Sequence, residues 1–171
     1  MGMEVSGRQV TLRFLRKELL YDIGNYSFVE GDIMDVDDEH KRHQTIDVCE
    51  DGNIDRVTRV LNLGYSEVVE LLYPYTKREC PHGDARENML VAPDVYVVDM
   101  YVPETFASST VELLKNLIHE YLVCRVLADW MSITNPGSKE KWEEKMEDMR
   151  GKLRSCVNSR MGRLRRRLSP W

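Results

Sequence analysis

A chain of 171 residues can bury one core but is short for two full domains. Apolar residues make up 42% and charged residues 31%, the balance of a folded protein, which excludes an intrinsically disordered chain. The net charge of −5 argues against a general nucleic-acid binder.

No segment reaches the roughly 18 to 20 consecutive apolar residues of a membrane span. The longest candidate, 111–133, is interrupted by Lys115, Asn116, His119, Glu120, Arg125 and Asp129. The first residues show no apolar stretch after a basic start, so no signal peptide is expected and the expected compartment is the cytoplasm. Cys49, Cys80, Cys124 and Cys156 are widely spaced and form no C-x-x-C pair, which fits reduced, inert thiols. The charge is polarised along the chain. Residues 30–55 carry ten acids (Glu30, Asp32, Asp35, Asp37, Asp38, Glu39, Asp47, Glu50, Asp51, Asp55) against Lys41 and Arg42, whereas residues 150–171 carry eight bases and no acid.

In chain order, Leu12, Leu15, Leu19 and Ile23 fall at helical spacing and predict a first helix over 11–23, ended by Gly24 and Asn25. Residues 26–34 fit a short strand or an ordered loop. The acidic stretch 35–52 reads as an exposed loop with a weak strand pattern over 44–48. Asp51 or Asn53 can cap a helix over 54–73, whose stripe is Ile54, Val57, Leu61, Tyr65, Val68 and Leu72 and which Pro74 stops. Residues 76–92 read as a polar surface loop. Val95, Tyr96, Val97, Val98, Tyr101 and Val102 predict a strand over 94–102, with Asp99 marking an edge or interface position. That strand is expected to pair across subunits or with a second strand nearby. Ser109 and Glu112 form a capping-box pattern that opens a long, very apolar helix to about residue 133. The turn Asn135-Pro136-Gly137 follows, with Ser138 as the cap of a helix over 139–165. Its seam is Trp142, Met146, Met149, Leu153, Val157, Met161 and Leu164, and so short a link predicts antiparallel packing on the preceding helix.

The expected fold is therefore mainly α: one helical bundle over 1–165, with a long antiparallel helix pair, an acidic loop at 30–52 and a small β excursion at 94–102. Residues 166–171 form a basic C-terminal tail.

The patterns that carry catalysis do not complete. His119-Glu120 begins like a zinc-protease motif, but Val123 stands where the second histidine is required. No glycine-rich phosphate loop and no G-x-S-x-G elbow is present. His40, His43, Cys49, Cys80 and His82 contain one tight pair, Cys80 and His82, where zinc sites have two. The expectation is no catalytic residue, no metal and no cofactor. Arg160, Arg163, Arg165, Arg166 and Arg167 can dock a protein carboxylate surface, neutralise phosphates, or simply face solvent. With Trp171 as an apolar anchor after Pro170, they are expected to order on a partner. The acids Asp35, Asp37, Asp38 and Glu39 are expected to face solvent or a channel.

The arginine-rich run from Arg160 to Trp171 is similar in style to the tails of prophage structural proteins. Four further stretches carry a family resemblance: Asp55-Arg56-Val57-Thr58-Arg59-Val60-Leu61; Val68-Val69-Glu70-Leu71-Leu72-Tyr73-Pro74-Tyr75; Leu117-Ile118-His119-Glu120-Tyr121-Leu122-Val123; and Val126-Leu127-Ala128-Asp129-Trp130. Their order, with a strand excursion in the middle, resembles the head–tail adaptor (connector, neck) proteins of tailed phages and prophages. The resemblance implies a virion structural protein, not an enzyme, assembled in the host cytoplasm as a homo-oligomeric ring. Its implied partners are the portal and the tail or stopper proteins, with DNA passing through the lumen without specific binding. A small nucleic-acid-binding or regulatory helical protein using the basic C-terminus is the alternative reading.

Overall fold

A computed structural model describes residues 7–35, 37–77 and 86–159. Among them the order is strand β1 (Gly7–Leu15), helix α1 (Arg16–Asp32), helix α2 (Glu39–Ile46) with a 3-10 turn (Asp47–Cys49), helix α3 (Ile54–Leu71), strand β2 (Val95–Pro103), helix α4 (Ser108–Thr134) and helix α5 (Pro136–Ser159). The fold is mainly α with one small antiparallel sheet.

The first element corrects the expected helix over 11–23. Residues 11–15 belong to a strand, and the helix starts at Arg16 and passes Gly24 and Asn25 to end at Asp32. Leu12 and Phe14 alternate inward while Thr11, Arg13 and Leu15 point outward, which is the period of a strand. What decides between the two periods is a partner more than eighty residues away: β1 pairs with β2, with Thr11 opposite Asp99. The sheet's inner face, Leu12 and Phe14 with Tyr96, Val98, Met100 and Val102, enters the core. The strand excursion thus pairs within the chain.

The acidic stretch is also corrected. It is not a loop and holds no strand at 44–48; it folds as α2 and the 3-10 turn. The Asp38 carboxylate accepts from the backbone N–H groups of His40 (3.0 Å) and Lys41 (3.3 Å), a side-chain cap on the first turn of α2. Inward, Thr45 and Val48 are fully buried, and the Trp130 indole N–H of α4 donates to Thr45 O at 3.0 Å. Close contact between α1 and α2 depends on Gly31. A Cβ there would stand 2.5 Å from Ile46 Cγ1. Gly31→Val is expected to destabilise the fold by about 1–3 kcal/mol through overpacking. Urea melts check this, and an unchanged midpoint would show that α2 is not held at that distance.

Helix α3 buries Val57, Leu61 and Val68 as its spacing predicts, and Leu72 follows in the same core. Helix α4 is buried on most sides, with Leu114, Ile118, Leu122 and Met131 at or near zero exposure. It is the central element on which α1, α2, α3 and α5 pack. Its start differs from expectation. Ala107 occupies the N-cap without a side-chain bond, and Ser109 lies inside the helix. Glu112 pairs with Lys115 instead of reaching back. Asn135 is the single residue between α4 and α5. Pro136 occupies the first position of α5, where its missing N–H costs nothing. Ser138, expected as the cap, instead accepts from Asn135 Nδ2 and donates to Glu30. Helix α5 folds back on α4, burying Trp142, Leu153 and Val157; Met161 and Leu164 of the expected seam lie outside the described residues.

Candidate assembly surfaces

The acids singled out from the sequence separate by environment. Asp35, Asp37, Asp38 and Glu39 are exposed between α1 and α2, and Asp38 also caps α2. Glu30 departs from a solvent-facing acidic segment. It is 4% exposed and held between α1 and α5 by Ser138 (2.8 Å) and Lys141. A buried carboxylate needs such partners to offset its lost hydration. Replacing Asp35, Asp37 and Glu39 by their amides is expected to leave stability within about 0.5 kcal/mol. Asp38→Ala is expected to cost about 1 kcal/mol as a lost cap. Thermal melts separate the two outcomes, and equal losses at all four positions would mean the exposed acids also make structural pairs.

Arg160, Arg163, Arg165, Arg166, Arg167 and Trp171 lie outside the described residues, as do Cys80 and His82. Among the described residues no group of three His, Cys, Asp or Glu side chains is placed to hold a metal ion. Cys49 donates to Leu20 O at 3.3 Å, and burial pushes its thiol pKa up. Cys124 is fully buried in α4, and desolvation pushes its thiol up to about 11, so it stays a neutral core side chain at ordinary pH.

Two polar pairs of α4 were not legible in the sequence. His119 Nε2 lies 2.6 Å from Asp22 Oδ2 of α1, beside a groove of about 300 Å³. That groove is lined by Arg13, Phe14, Leu15, Glu18, Asp22, Lys115, Asn116 and His119. The pair links α1 to α4, and the described lining residues include no hydroxyl or thiol. Tyr121 donates to Glu67 at 2.6 Å, and Arg125 reaches the same carboxylate at 3.3 Å, tying α3 to α4. Burial first, then this bond to Glu67, raises the Tyr121 pKa.

The surface carries apolar groups in two places. On α1, Tyr21 is 71% exposed and Phe28 56%, with Val29 and Ile33 beside them. Tyr21, Phe28 and Val29 share the outward side of α1 with the polar Asn25 and Asp32. The second surface borders α3 and β2. Met89 is 72% exposed, Val91 63% and Tyr101 64%, and Leu63 of α3 is also exposed. A groove of about 440 Å³ runs there between Asn62, Tyr65 and Ser66 of α3, Val91 and Pro93, and Val95, Val97 and Asp99 of β2. Its polar groups are paired: Tyr96 donates to Asn62 Oδ1, Asn62 donates to Val91 O, and Tyr65 donates to Val97 O. Among the described residues no helix is long and apolar enough to cross a membrane.

No family model, no curated protein and no solved structure matches the chain.

Proposed function

We propose that this chain is a structural subunit of a homo-oligomeric ring, the head–tail connector of a tailed-phage particle, seated between portal and tail proteins. The observation that carries the assembly reading is the exposure, among the described residues, of large apolar side chains on α1 (Tyr21, Phe28, Val29) and around β2 (Met89, Val91, Tyr101). Clusters of exposed large apolar side chains mark contact sites. Two unlike surfaces on one chain suit a head-to-tail contact, which closes into a ring when the rotation per subunit divides a full turn. The paired polar groups of the groove between α3 and β2 favour a structural role over chemistry there. The connector identity rests on the resemblance of the sequence stretches in α3 and α4. On this reading the exposed acids Asp35, Asp37, Asp38 and Glu39 line the lumen and repel DNA phosphates, so that the duplex slides without sticking. The C-terminal arginines and Trp171 dock on a neighbouring subunit or the portal.

Negative-stain imaging of the purified full chain, with pull-down of a portal protein by full-length chain and by a chain lacking residues 165–171, tests this. Rings that capture portal only when the tail is present support it. A monomer that retains DNA in a salt-sensitive manner would favour the nucleic-acid reading of the eight bases in residues 150–171 instead.

A further inference from the structure

Among the described residues, the two-stranded sheet leaves one edge of β1 without a strand partner. Three contacts define which way its backbone groups point. Tyr101 N–H donates to Tyr75 O at 2.8 Å, the Tyr65 hydroxyl donates to Val97 O at 2.6 Å, and Arg16 N–H donates to Asp94 O at 2.9 Å. Odd-numbered residues of β2 therefore turn their N–H and C=O groups away from β1, and even-numbered residues pair with it. With Thr11 opposite Asp99, the backbone groups of Gln9, Thr11 and Arg13 emerge from the other side of β1. They have no hydrogen-bond partner among the described residues. All three residues are exposed. The groove of about 300 Å³ between Arg13 and Leu15 of β1, Glu18 of α1 and Lys115 of α4 adjoins this edge. It offers a recess for a side chain of an added strand.

The same chain carries a segment suited to that edge. Residues 87–92 have no regular structure, and Met89 and Val91 are among the most exposed apolar side chains of the described residues. Val91 O is held by Asn62 of α3, and Val91 lines the groove along the outer edge of β2. The segment and the open edge thus sit at opposite edges of one sheet, where they cannot meet within a single chain. Their charges agree: β1 carries Arg8 and Arg13 and no acid, and the segment carries Glu87 and no base.

We infer that residues 87–92 of one copy add as a strand to the open edge of β1 in the next copy, joining subunits head to tail. Main-chain hydrogen bonds supply the contact, and alternate side chains of the segment fill the recess beside β1. This rests on the ring reading and specifies its interface. It also accounts for an edge strand of nine residues that carries no proline and no bulge to protect it.

The test uses full-length chains and sedimentation velocity. Thr11→Pro removes an outward N–H and blocks an incoming strand, while the ladder to β2 is untouched. It is expected to fold with unchanged circular dichroism and to associate at least roughly tenfold more weakly. Thr11→Val keeps the donor and is expected to assemble normally. A chain with both Met89→Lys and Val91→Lys keeps a competent edge but loses the segment, and is also expected to be monomeric. Mixing it with Thr11→Pro leaves one competent edge and one competent segment, so one-to-one pairs and nothing larger are expected. Self-association of the lysine variant would mean that β1 pairs with β1 about a two-fold axis, and would overturn the inference. If the full-length chain and both variants assemble alike, strand addition is wrong while the ring reading stands. A full-length chain that stays monomeric at every concentration overturns both.

Discussion

Trp130→Ala is expected to unfold the protein at markedly lower denaturant, with a loss of about 3–5 kcal/mol. Trp130 is 7% exposed on α4 and fills the space between α4 and α2. Its indole N–H is the donor to Thr45 O, on a helix end whose carbonyls have no intrahelical partner. Truncation therefore removes a large apolar volume and leaves a buried acceptor unpaired, a further loss of about 1–3 kcal/mol where the site stays dry. Trp130→Phe keeps most of the volume and isolates the hydrogen bond, with an expected loss near the lower of those figures. Urea melts with a fitted slope check both. A loss under about 1 kcal/mol for the alanine variant would show that α2 does not depend on α4, because a filled core position would not tolerate that cavity so cheaply.

Val98→Pro is expected to abolish the native fold, not merely assembly. Val98 is fully buried and faces Leu12 across the sheet at a position where both backbone groups pair. Proline there removes the N–H, strands the Leu12 carbonyl and forces its ring into the ladder. The lost bond and the unpaired acceptor together account for at least about 2–3 kcal/mol before steric strain. Thr11→Pro, on the neighbouring strand but with its N–H turned outward, is expected to leave the monomer intact. Circular dichroism of the two variants side by side reads the parity of the sheet directly. Equal stability of the two would mean that the backbone directions are not as described.

The contrast between these two prolines also marks what a single sequence can reveal. The stripe of α3 and the burial of α4 were legible because helical spacing and apolar length agree over many residues. So was β2, whose β-branched and aromatic run has no competing period. Leu12, Leu15 and Leu19 mislead because a short segment satisfies both periods, and the choice is made by β2, which is remote in sequence. Leu15, inward on a helical reading, is 42% exposed. The acidic stretch misleads for a different reason. Its acids lie mainly in the links and turn that flank α2, while Thr45 of α2 and Val48 of the 3-10 turn face inward without forming an apolar pattern. The capping signals at Ser109 and Ser138 are real local preferences that lose to other contacts, the first to the pairing of Glu112 with Lys115 in the same helix and the second to Glu30 from α1. Of the candidate site, the outward position of Asp35, Asp37, Asp38 and Glu39 follows from charge alone. The open edge of β1 could not be foreseen where a helix was expected.

The most direct test of the assembly account is the mass of the full-length species by native mass spectrometry across a concentration series. A closed ring gives one species whose mass is a fixed integer multiple of the 20.0 kDa chain, seen as rings of a single size. A monomer at every concentration, or an open-ended ladder of sizes that never closes, would contradict it.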